Sequence, residues 1–358
     1  MKEKIKTPLT RFFKNLVFNP KNAKSYYRKY LVENSYGKKE KISYNPDTIN
    51  VNVTMSCNLR CPTCYYLLQD KNALEETRFI KVEDFQKFID GYPGKIRRIA
   101  FAGGEPLLHP HLSLLFEIAK KNGVQKVSMS TNGVLLKNRL EQVKNFDKIK
   151  VSLDAYDFET FKKYRGGTPQ QWESILESLK LMRENNIPFA VSFLLSEENL
   201  HEVPKMLKFA EEAKVFEVRF HNINSFDSGK FTSLFRESEK VKKFLEEVFS
   251  RSDYPFDIYI PLIFDVNSQD FKNSKCPYLW NALAFNQQGD MAYCCYLPHD
   301  AEIGNVFKKF DFNSKKMQEM RKCHIKSEFP DECRFCQRRF SKIYSTVFNS
   351  KERKWQKF

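Results

Sequence analysis

From about residue 49, two kinds of segment alternate along the chain. In the short ones apolar and polar residues alternate, and in the longer ones apolar residues recur every three or four positions. The first pattern is typical of strands and the second of amphipathic helices. The pattern predicts six strands, at Ile49–Met55, Arg98–Ala102, Lys126–Ser130, Lys148–Leu153, Phe189–Leu195 and Val215–His221. It predicts helices between them, at Val82–Ile89, His111–Lys121, Leu140–Lys144, Gln171–Asn185 and Val203–Ala213.

Six consecutive βα units indicate an α/β fold with a parallel sheet, because each parallel connection must be long enough to hold a helix. Chemistry in such folds collects at the carboxyl ends of the strands. Residues 49–255 are therefore predicted to form the main domain. Residues 256–345 are rich in cysteine and contain a predicted hairpin, Ala282–Phe285 with Met291–Cys295, so they are predicted to form a second, small domain.

Residues 1–48 have the pattern of a basic, helical N-terminal extension. The apolar positions of its first helix share one face, with Arg11 and Lys14 on the other: Leu9, Phe12, Phe13, Leu16 and Val17. Such a helix packs against the main domain or lies on a membrane surface, and both readings stay open.

The net charge of +16 is concentrated at the two ends of the chain. Residues 1–50 hold 12 basic and 4 acidic side chains, and residues 337–358, which include a basic tail at 346–358, hold 7 and 1. Basic ends suit an anionic neighbour such as a membrane surface, nucleic acid or an acidic substrate, and they serve solubility equally well.

No run of about 18 apolar residues is present, and basic residues interrupt the first 14 positions, so neither a membrane span nor a secretory signal is predicted. A cytoplasmic protein is expected, peripheral to the inner membrane face if the N-terminal helix binds lipid. In that reducing compartment, nine clustered cysteines indicate metal ligands or catalytic thiols before disulfides.

The strongest motif is Cys57-x3-Cys61-x2-Cys64, directly after the first strand. Three thiolates cannot complete a four-sulfur site, so a 4Fe–4S cluster held here would keep one iron open to a substrate or cofactor. A structural zinc site with a distant fourth ligand is the alternative.

This triad resembles the signature of the radical S-adenosylmethionine (SAM) superfamily. The resemblance implies a partial (β/α)6 TIM-like barrel in which the open iron binds SAM. Reduction of the cluster would then cleave SAM to a 5′-deoxyadenosyl radical that abstracts hydrogen from a substrate. Many members carry an aromatic residue before the third cysteine, whereas this chain has Thr63 there and Tyr65 just after Cys64.

Further motifs follow the next strands in the order that the family shows. Gly103, Gly104, Glu105 and Pro106 resemble the element that receives the SAM amino group, because glycines allow close approach and a carboxylate accepts from an ammonium. Each motif taken alone is also compatible with a turn or a capping residue.

Two more elements match after the third and fourth strands. Ser130-Thr131-Asn132-Gly133 and Ser152-Leu153-Asp154 resemble elements near the ribose and methionine of SAM. Ser152 and Arg165 match positions that bind the SAM carboxylate in related maturases, and the fork of an arginine suits that group. By a weaker match, Phe220 and Asn222 are expected to border the adenine.

A second cysteine set resembles the SPASM/twitch extension that holds auxiliary clusters. Its members, spaced around Gly289 and Gly304, are Cys276, Cys294, Cys333 and Cys336. Four ligands imply one auxiliary 4Fe–4S cluster with every iron held by protein, and a zinc ribbon is the alternative. Cys295 is read as a substitute ligand or hydrogen-atom donor, and Cys323 as a buried, inert thiol.

The resemblance covers roughly 49–345 and implies an oxidoreductase or maturase with an electron donor such as flavodoxin or ferredoxin. The substrate is expected to be a sugar, a lipid-linked molecule or a peptide. The stretch before the barrel is too short for the leader-binding domain of many peptide maturases, which favours an anionic or carrier-linked substrate. A ribosomal-peptide maturase and a non-catalytic iron–sulfur or zinc protein with nucleic-acid- or membrane-binding ends are the alternatives.

Overall fold

The structure is a computed structural model and describes residues 23–75, 77–223, 231–334, 336, 339 and 344–357. The predicted apolar stripe between Leu9 and Val17 lies outside these residues. The strands are β1 Thr48–Thr54, β2 Arg98–Gly103, β3 Lys126–Thr131, β4 Lys148–Ser152, β5 Phe189–Leu195, β6 Glu217–Asn222, β7 Asp257–Pro261, β8 Ala282–Phe285, β9 Met291–Ala292, β10 Tyr344–Asn349 and β11 Lys354–Lys357.

The helices connect the parallel strands or lie in the C-terminal region. The first seven are α1 Ala23–Ser35, α2 Tyr65–Gln69, α3 Val82–Gly91, α4 Leu112–Lys121, α5 Leu136–Val143, α6 Phe158–Arg165 and α7 Pro169–Glu184. They are followed by α8 Val203–Glu212, α9 Glu239–Phe249, α10 Gln269–Asn273, α11 Tyr278–Asn281, α12 Lys315–Lys326 and α13 Asp331–Arg334. Within the described residues, no helix is both long enough and apolar enough to cross a bilayer.

Across the described residues, eleven strands form one sheet in the order β11-β10-β7-β6-β5-β4-β3-β2-β1-β8-β9. Strands β1 to β7 run parallel, each beside its neighbour in sequence, and β8 runs parallel to β1. The outer strands β9, β10 and β11 pair antiparallel. The predicted α/β fold with a parallel sheet is confirmed, and the observed sheet adds β7 and β8 to the six predicted parallel strands.

Alternate residues of the central strands face two different environments. On β4, Ile149 and Val151 are fully buried against the outer helices, whereas Lys148, Lys150 and Ser152 are half-buried on the opposite face. Strands β3 and β6 repeat this alternation. Because side chains of a strand alternate between faces, the apolar core lies between sheet and helices, and the inner face of the sheet is polar.

The predicted strand and helix bounds agree with the observed ones within a few residues. The hairpin predicted at Ala282–Phe285 and Met291–Cys295 is present, but β9 ends at Ala292. The helix α6, which follows β4 directly, was not predicted; Asp157 caps its start and Gly166, with φ of 65°, ends it.

The C-terminal region continues the main sheet. β7 and β10 extend it beyond β6, and β8 adds to it beside β1, so the sheet crosses the predicted domain boundary at residue 255. The predicted basic tail is part of this sheet, because β10 and β11 form an antiparallel hairpin in which Phe348 is fully buried against Tyr254 and Trp355.

Candidate active site

The three cysteines of the first motif line a cavity of about 500 Å³ at the carboxyl ends of the parallel strands. They lie on the loop that follows β1, where the N–H of Cys64 donates to the carbonyl of Cys61 at 3.0 Å. Arg60 Nη1 donates to the carbonyl of Cys57 at 2.7 Å, which fixes the loop from outside. The structure therefore brings all three thiols to one cavity, as the motif predicts.

Burial raises the pKa of the Cys57 thiol and raises that of Cys61 to about 11. The nearby guanidinium of Arg165 acts in the opposite direction on both. Because iron binds the thiolate, a cation next to buried thiols favours the form that ligates metal.

Gly103 and Gly104 allow the chain after β2 to lie directly against the start of the cysteine loop. The N–H of Gly104 donates to the carbonyl of Thr54 at 2.9 Å. A Cβ at Gly103, whose φ is +124°, would come within 2.1 Å of that same carbonyl oxygen, and one at Gly104 would lie as close to the carbonyl of Ser56. Only glycine fits at these two positions.

The carboxylate of Glu105 lies behind the cavity wall. Its side chain is fully buried, and it accepts hydrogen bonds from Leu107 N at 3.0 Å, Thr131 Oγ1 at 2.7 Å and Asn132 N at 2.7 Å. Burial raises its pKa, and these donors act against that shift. The carboxylate thus ties the loop after β2 to the loop after β3, and its predicted role as acceptor of the SAM ammonium stays a prediction, as does any role for Pro106.

Asn132 holds the cysteine loop in place from β3. Its Nδ2 donates to Asn58 Oδ1 at 2.7 Å and lies 3.9 Å from Cys57 Sγ, while its Oδ1 accepts from Val134 N at 3.0 Å. Asn132 is therefore placed beside the first cysteine of the motif.

Arg165 and Asp154 form an ion pair on the cavity wall. Arg165 Nη1 lies 2.9 Å from Asp154 Oδ2, and the side chains are only 13% and 9% exposed. Asp154 has φ of 53°, and its Oδ1 accepts from Leu194 N at 2.7 Å, so the carboxylate is fixed between β5 and the guanidinium. Burial alone would lower the pKa of Arg165, but Cys61, Asp154 and Cys57 raise it, which keeps the guanidinium charged.

The environment of Arg165 fits the predicted SAM carboxylate. Its buried Nε has no hydrogen-bond partner among the residues that the structure describes, although a buried guanidinium N–H normally has one. Ser152, at the end of β4, lines the same cavity. An additional acceptor between these two side chains would satisfy the guanidinium.

The inner wall of the cavity carries charged residues that the motifs do not include. Lys148 and Lys150 of β4 and Arg219 of β6 line it, and we call these three the basic stripe. The structure also puts His221 on the wall, whereas Phe220 is buried in the core and Asn222 bonds to the backbone of Leu234. Phe220 and Asn222 were expected to border the adenine. On β6, however, the side chains that line the cavity are the alternate ones, Arg219 and His221.

The C-terminal region supplies part of the cavity wall through Tyr278, Cys295 and Tyr296. The rings of Tyr65 and Tyr296 contact each other with centroids 5.6 Å apart. Cys295 Sγ lies 3.7 Å from the hydroxyl of Tyr278. Cys295 therefore shares a cavity with the first cysteine motif, a placement that suits the predicted hydrogen-atom donor; both predicted roles of Cys295 stay predictions.

The four cysteines of the second set are neighbours. Cys276 is within electrostatic range of Cys336 and Cys333, and Cys294 is within range of Cys276 and Cys336. Burial raises the pKa of the Cys276 and Cys294 thiols and raises that of Cys333 to about 12. Among the described residues, no group of three or more His, Cys, Asp or Glu side chains is placed to hold a single metal ion. The cysteine expected to be inert and buried, Cys323 on α12, is half-buried.

A parallel sheet that brings three cysteines, Gly103 and Gly104 to one cavity is the arrangement that the motifs predict for a radical SAM enzyme. Residues 51–210 match the model of the radical SAM superfamily. The family resemblance expected from the motifs is thus confirmed.

Two curated relatives show how far the similarity extends in sequence. GTP 3′,8-cyclase of Chlorobaculum tepidum is 30% identical over 211 residues, which cover 57% of this chain and 62% of the relative. The probable GTP 3′,8-cyclase of Sulfurisphaera tokodaii is 27% identical over 206 residues, covering 56% and 64%. The chain thus spans less than two thirds of the length of each relative.

Solved structures are similar in fold over a larger part of the chain than the curated relatives are in sequence. Streptococcus suis SuiB bound to S-adenosylmethionine has a TM-score of 0.59 at 14% identity and covers 92% of this chain and 83% of its own. Native anSMEcpe with bound AdoMet and a peptide has a TM-score of 0.58 at 17% identity, covering 81% and 87%. At these identities the likeness concerns the fold alone.

Proposed function

We propose that this chain cleaves SAM reductively at a 4Fe–4S cluster held by Cys57, Cys61 and Cys64, and uses the product to modify a substrate bound in the same cavity. The observation that carries the proposal is that these three thiols and the incompletely bonded guanidinium of Arg165 line one cavity. When bound, the cluster and SAM supply a 5′-deoxyadenosyl radical that abstracts hydrogen from carbon.

The residues of the chain position SAM and exclude water. Arg165 and Ser152 bind the SAM carboxylate, since a charged, buried guanidinium with a free N–H is a strong donor to a carboxylate. Asp154 keeps the guanidinium oriented toward the cavity. Asn132 orients the loop at Cys57, and Gly103 and Gly104 let the backbone approach the ligand.

The second cysteine set holds one auxiliary 4Fe–4S cluster. Cys276, Cys294, Cys333 and Cys336 supply four ligands, so no iron is left for substrate, and the cluster serves as an electron acceptor or as structure. An acceptor fits net oxidation of a C–H bond, because a substrate radical that is oxidised must lose a second electron. The initial electron comes from a flavodoxin or ferredoxin in this scheme.

The substrate proposed on this basis is a sugar, a lipid-linked molecule or a peptide. Ribosomal-peptide maturation is a second candidate, supported by the similar fold of SuiB solved with its precursor peptide SuiA. The proposed location is the cytoplasm, with the N-terminal residues as the segment that would contact a membrane surface.

Anaerobic reconstitution tests the reaction. Wild-type protein is expected to bind about eight irons and to form 5′-deoxyadenosine from SAM when dithionite is added. Replacing Cys57, Cys61 and Cys64 by Ala is expected to leave one cluster and no cleavage. Zinc in place of iron in anaerobically purified protein, or eight irons without cleavage of SAM, would contradict the proposal.

A further inference from the structure

Arg339 is a buried cation next to the second cysteine set. The residue is only 2% exposed, although its guanidinium is charged at neutral pH. Charged side chains are seldom buried this fully unless an opposite charge accompanies them. A buried anion is therefore expected beside Arg339.

The hydrogen bonds of Arg339 lead to neutral groups. Nη1 donates to the carbonyl of Arg334 at 2.6 Å, and Nη2 donates to the carbonyl of Phe271 at 2.7 Å and lies 3.4 Å from that of Lys272. Its Cζ lies 3.5 Å from the centre of the Phe329 ring. Nε is buried and has no hydrogen-bond partner within the described part of the chain. Carbonyls and a ring thus surround the guanidinium without neutralising its charge.

The backbone puts Arg339 on the same face as two cysteines of the set. The N–H of Cys336 donates to the carbonyl of Cys333 at 3.3 Å, and the N–H of Arg339 donates to the carbonyl of Cys336 at 3.1 Å. Each of these bonds closes a turn over three residues, and side chains three residues apart in such turns lie one above the other. Cys333, Cys336 and Arg339 therefore share one side of this segment.

The thiols and the guanidinium affect each other's ionisation. Burial lowers the pKa of Arg339 to about 10, and Cys333, Cys336 and Cys276 act in the opposite direction. Burial raises the pKa of the Cys333 thiol, and Arg339 acts against that increase. Among the described residues, the charged groups that stabilise the guanidinium in this way are these three cysteines and no carboxylate. The thiolates are therefore the anions that accompany it.

Arg321 on α12 is a buried arginine with different surroundings. It is fully buried, and burial lowers its pKa to about 10 as well. All three of its nitrogens donate to backbone carbonyls: Nε to that of Leu279, Nη1 to that of Glu40 and Nη2 to that of Phe312. Within the described residues, no cysteine is among the charged groups in range of it. Arg339 differs from Arg321 in its open Nε and in its thiol neighbours.

Building on the proposed function, we propose that Arg339 is a positioning residue of the auxiliary 4Fe–4S cluster, whose positive charge beside Cys333 and Cys336 stabilises the cluster and raises its reduction potential. A cluster with four thiolate ligands is negatively charged and gains a further negative charge on reduction, so a fixed cation favours the reduced form. A higher potential suits the electron-accepting role given above to this cluster.

A redox titration followed by electron paramagnetic resonance tests this role. The titration uses full-length protein in which Cys57, Cys61 and Cys64 are replaced by Ala, so that only the second cluster contributes to the signal. In this background Arg339→Gln is expected to lower the ratio of reduced to oxidised cluster at a fixed applied potential by about tenfold, which is about 59 mV for one electron. Arg339→Lys is expected to restore most of the ratio, because the charge is kept although the planar fork is lost.

Two matched controls separate the charge beside the thiols from the loss of an arginine as such. Arg334→Gln removes the same charge next to Cys333, but that side chain is 62% exposed, pairs with Asp331 and offers Arg339 only its backbone carbonyl. Arg321→Gln removes a buried guanidinium and is expected to lower the melting temperature. Both controls should keep the reduced-to-oxidised ratio within about twofold of the background protein.

A ratio within about twofold of the background protein in Arg339→Gln would overturn the proposal. If Arg339→Gln does not fold, Arg339→Lys decides. A cluster retained in Arg339→Lys at the background potential supports a role for the charge, and loss of the cluster in both variants overturns it, because the site would then need the fork and not the charge. Zinc, or no metal, in the background protein would overturn it too.

Cleavage of SAM by proteins with an intact first cysteine motif keeps the two proposals apart. If Arg339→Gln cleaves SAM and the potential of the auxiliary cluster is unchanged, the role of Arg339 is refuted and the proposed reaction stands. If wild-type protein does not cleave SAM, the reaction is refuted, and a lowered potential in Arg339→Gln still assigns Arg339 to the cluster.

Discussion

Replacing Arg165 by Gln removes the guanidinium that we place on the SAM carboxylate and leaves a shorter, uncharged polar side chain. A hydrogen bond between charged groups contributes about 1.5–3 kcal/mol, so the dissociation constant for SAM is expected to rise roughly ten- to a hundredfold. Iron content should stay at the wild-type value, because Arg165 is not a ligand. SAM affinity is measured by anaerobic equilibrium dialysis and iron by colorimetric analysis.

The same substitution leaves Asp154 without its cation. Asp154 is 9% exposed, and breaking a buried ion pair on one side costs about 3–5 kcal/mol. Adding Asp154→Asn removes the stranded charge, keeps an acceptor for Leu194 N and tolerates the positive φ. The double variant is expected to melt nearer to wild type while SAM binding stays weak, which separates stability from recognition.

Lys162→Gln is the matched control, because it removes one charge from an exposed position on the same helix, α6. It should bind SAM like wild type. SAM affinity within twofold of wild type in Arg165→Gln with full iron content would refute the assigned role.

Four further predictions follow from the site. Glu105→Gln is expected to lower the melting temperature, because a buried N–H would be left without its acceptor, and to weaken SAM binding less than Arg165→Gln does; a larger loss of SAM affinity would support direct contact with the ammonium. Cys333→Ala should still cleave SAM but yield no oxidised product by mass spectrometry, and a full yield would exclude an electron-accepting cluster. Cys295→Ser should keep all eight irons, whereas loss of four would make Cys295 the ligand in place of Cys294. Deletion of residues 1–20 should abolish sedimentation with anionic liposomes at low salt without affecting SAM cleavage, and wild-type protein that never sediments would exclude lipid binding.

The strands that carry the site could be predicted because their apolar residues alternate and because turn residues follow them. The motif of Cys57, Cys61 and Cys64 could also be predicted, because its three cysteines are close in sequence and lie on one loop. The strand β7, Asp257–Pro261, was missed because it lies in the stretch assigned to the second domain. Pairing with β6 is what makes it a strand of the main sheet, and pairing is a long-range property.

The role of Glu105 illustrates what a motif leaves undetermined. The sequence indicates that a carboxylate follows two glycines after a strand, which suits an ammonium acceptor. Whether that carboxylate faces the cavity or the backbone of the next loop depends on Thr131 and Asn132, which lie 26 and 27 residues further along the chain. Only the folded structure brings those donors to it.

The basic stripe is a second feature whose surroundings the sequence alone does not predict. Polar residues at alternate positions of a strand usually mark the solvent face, so Lys148 and Lys150 are compatible with an ordinary exposed surface. In the structure both lysines line a cavity, because β4 has helices on its apolar face and the cavity on its polar face. Arg219 reaches that cavity from β6, two strands away, and the register through β5 places it there. The convergence of these three cations on one cavity therefore depends on the register of three parallel strands, which the pattern of a single strand does not contain.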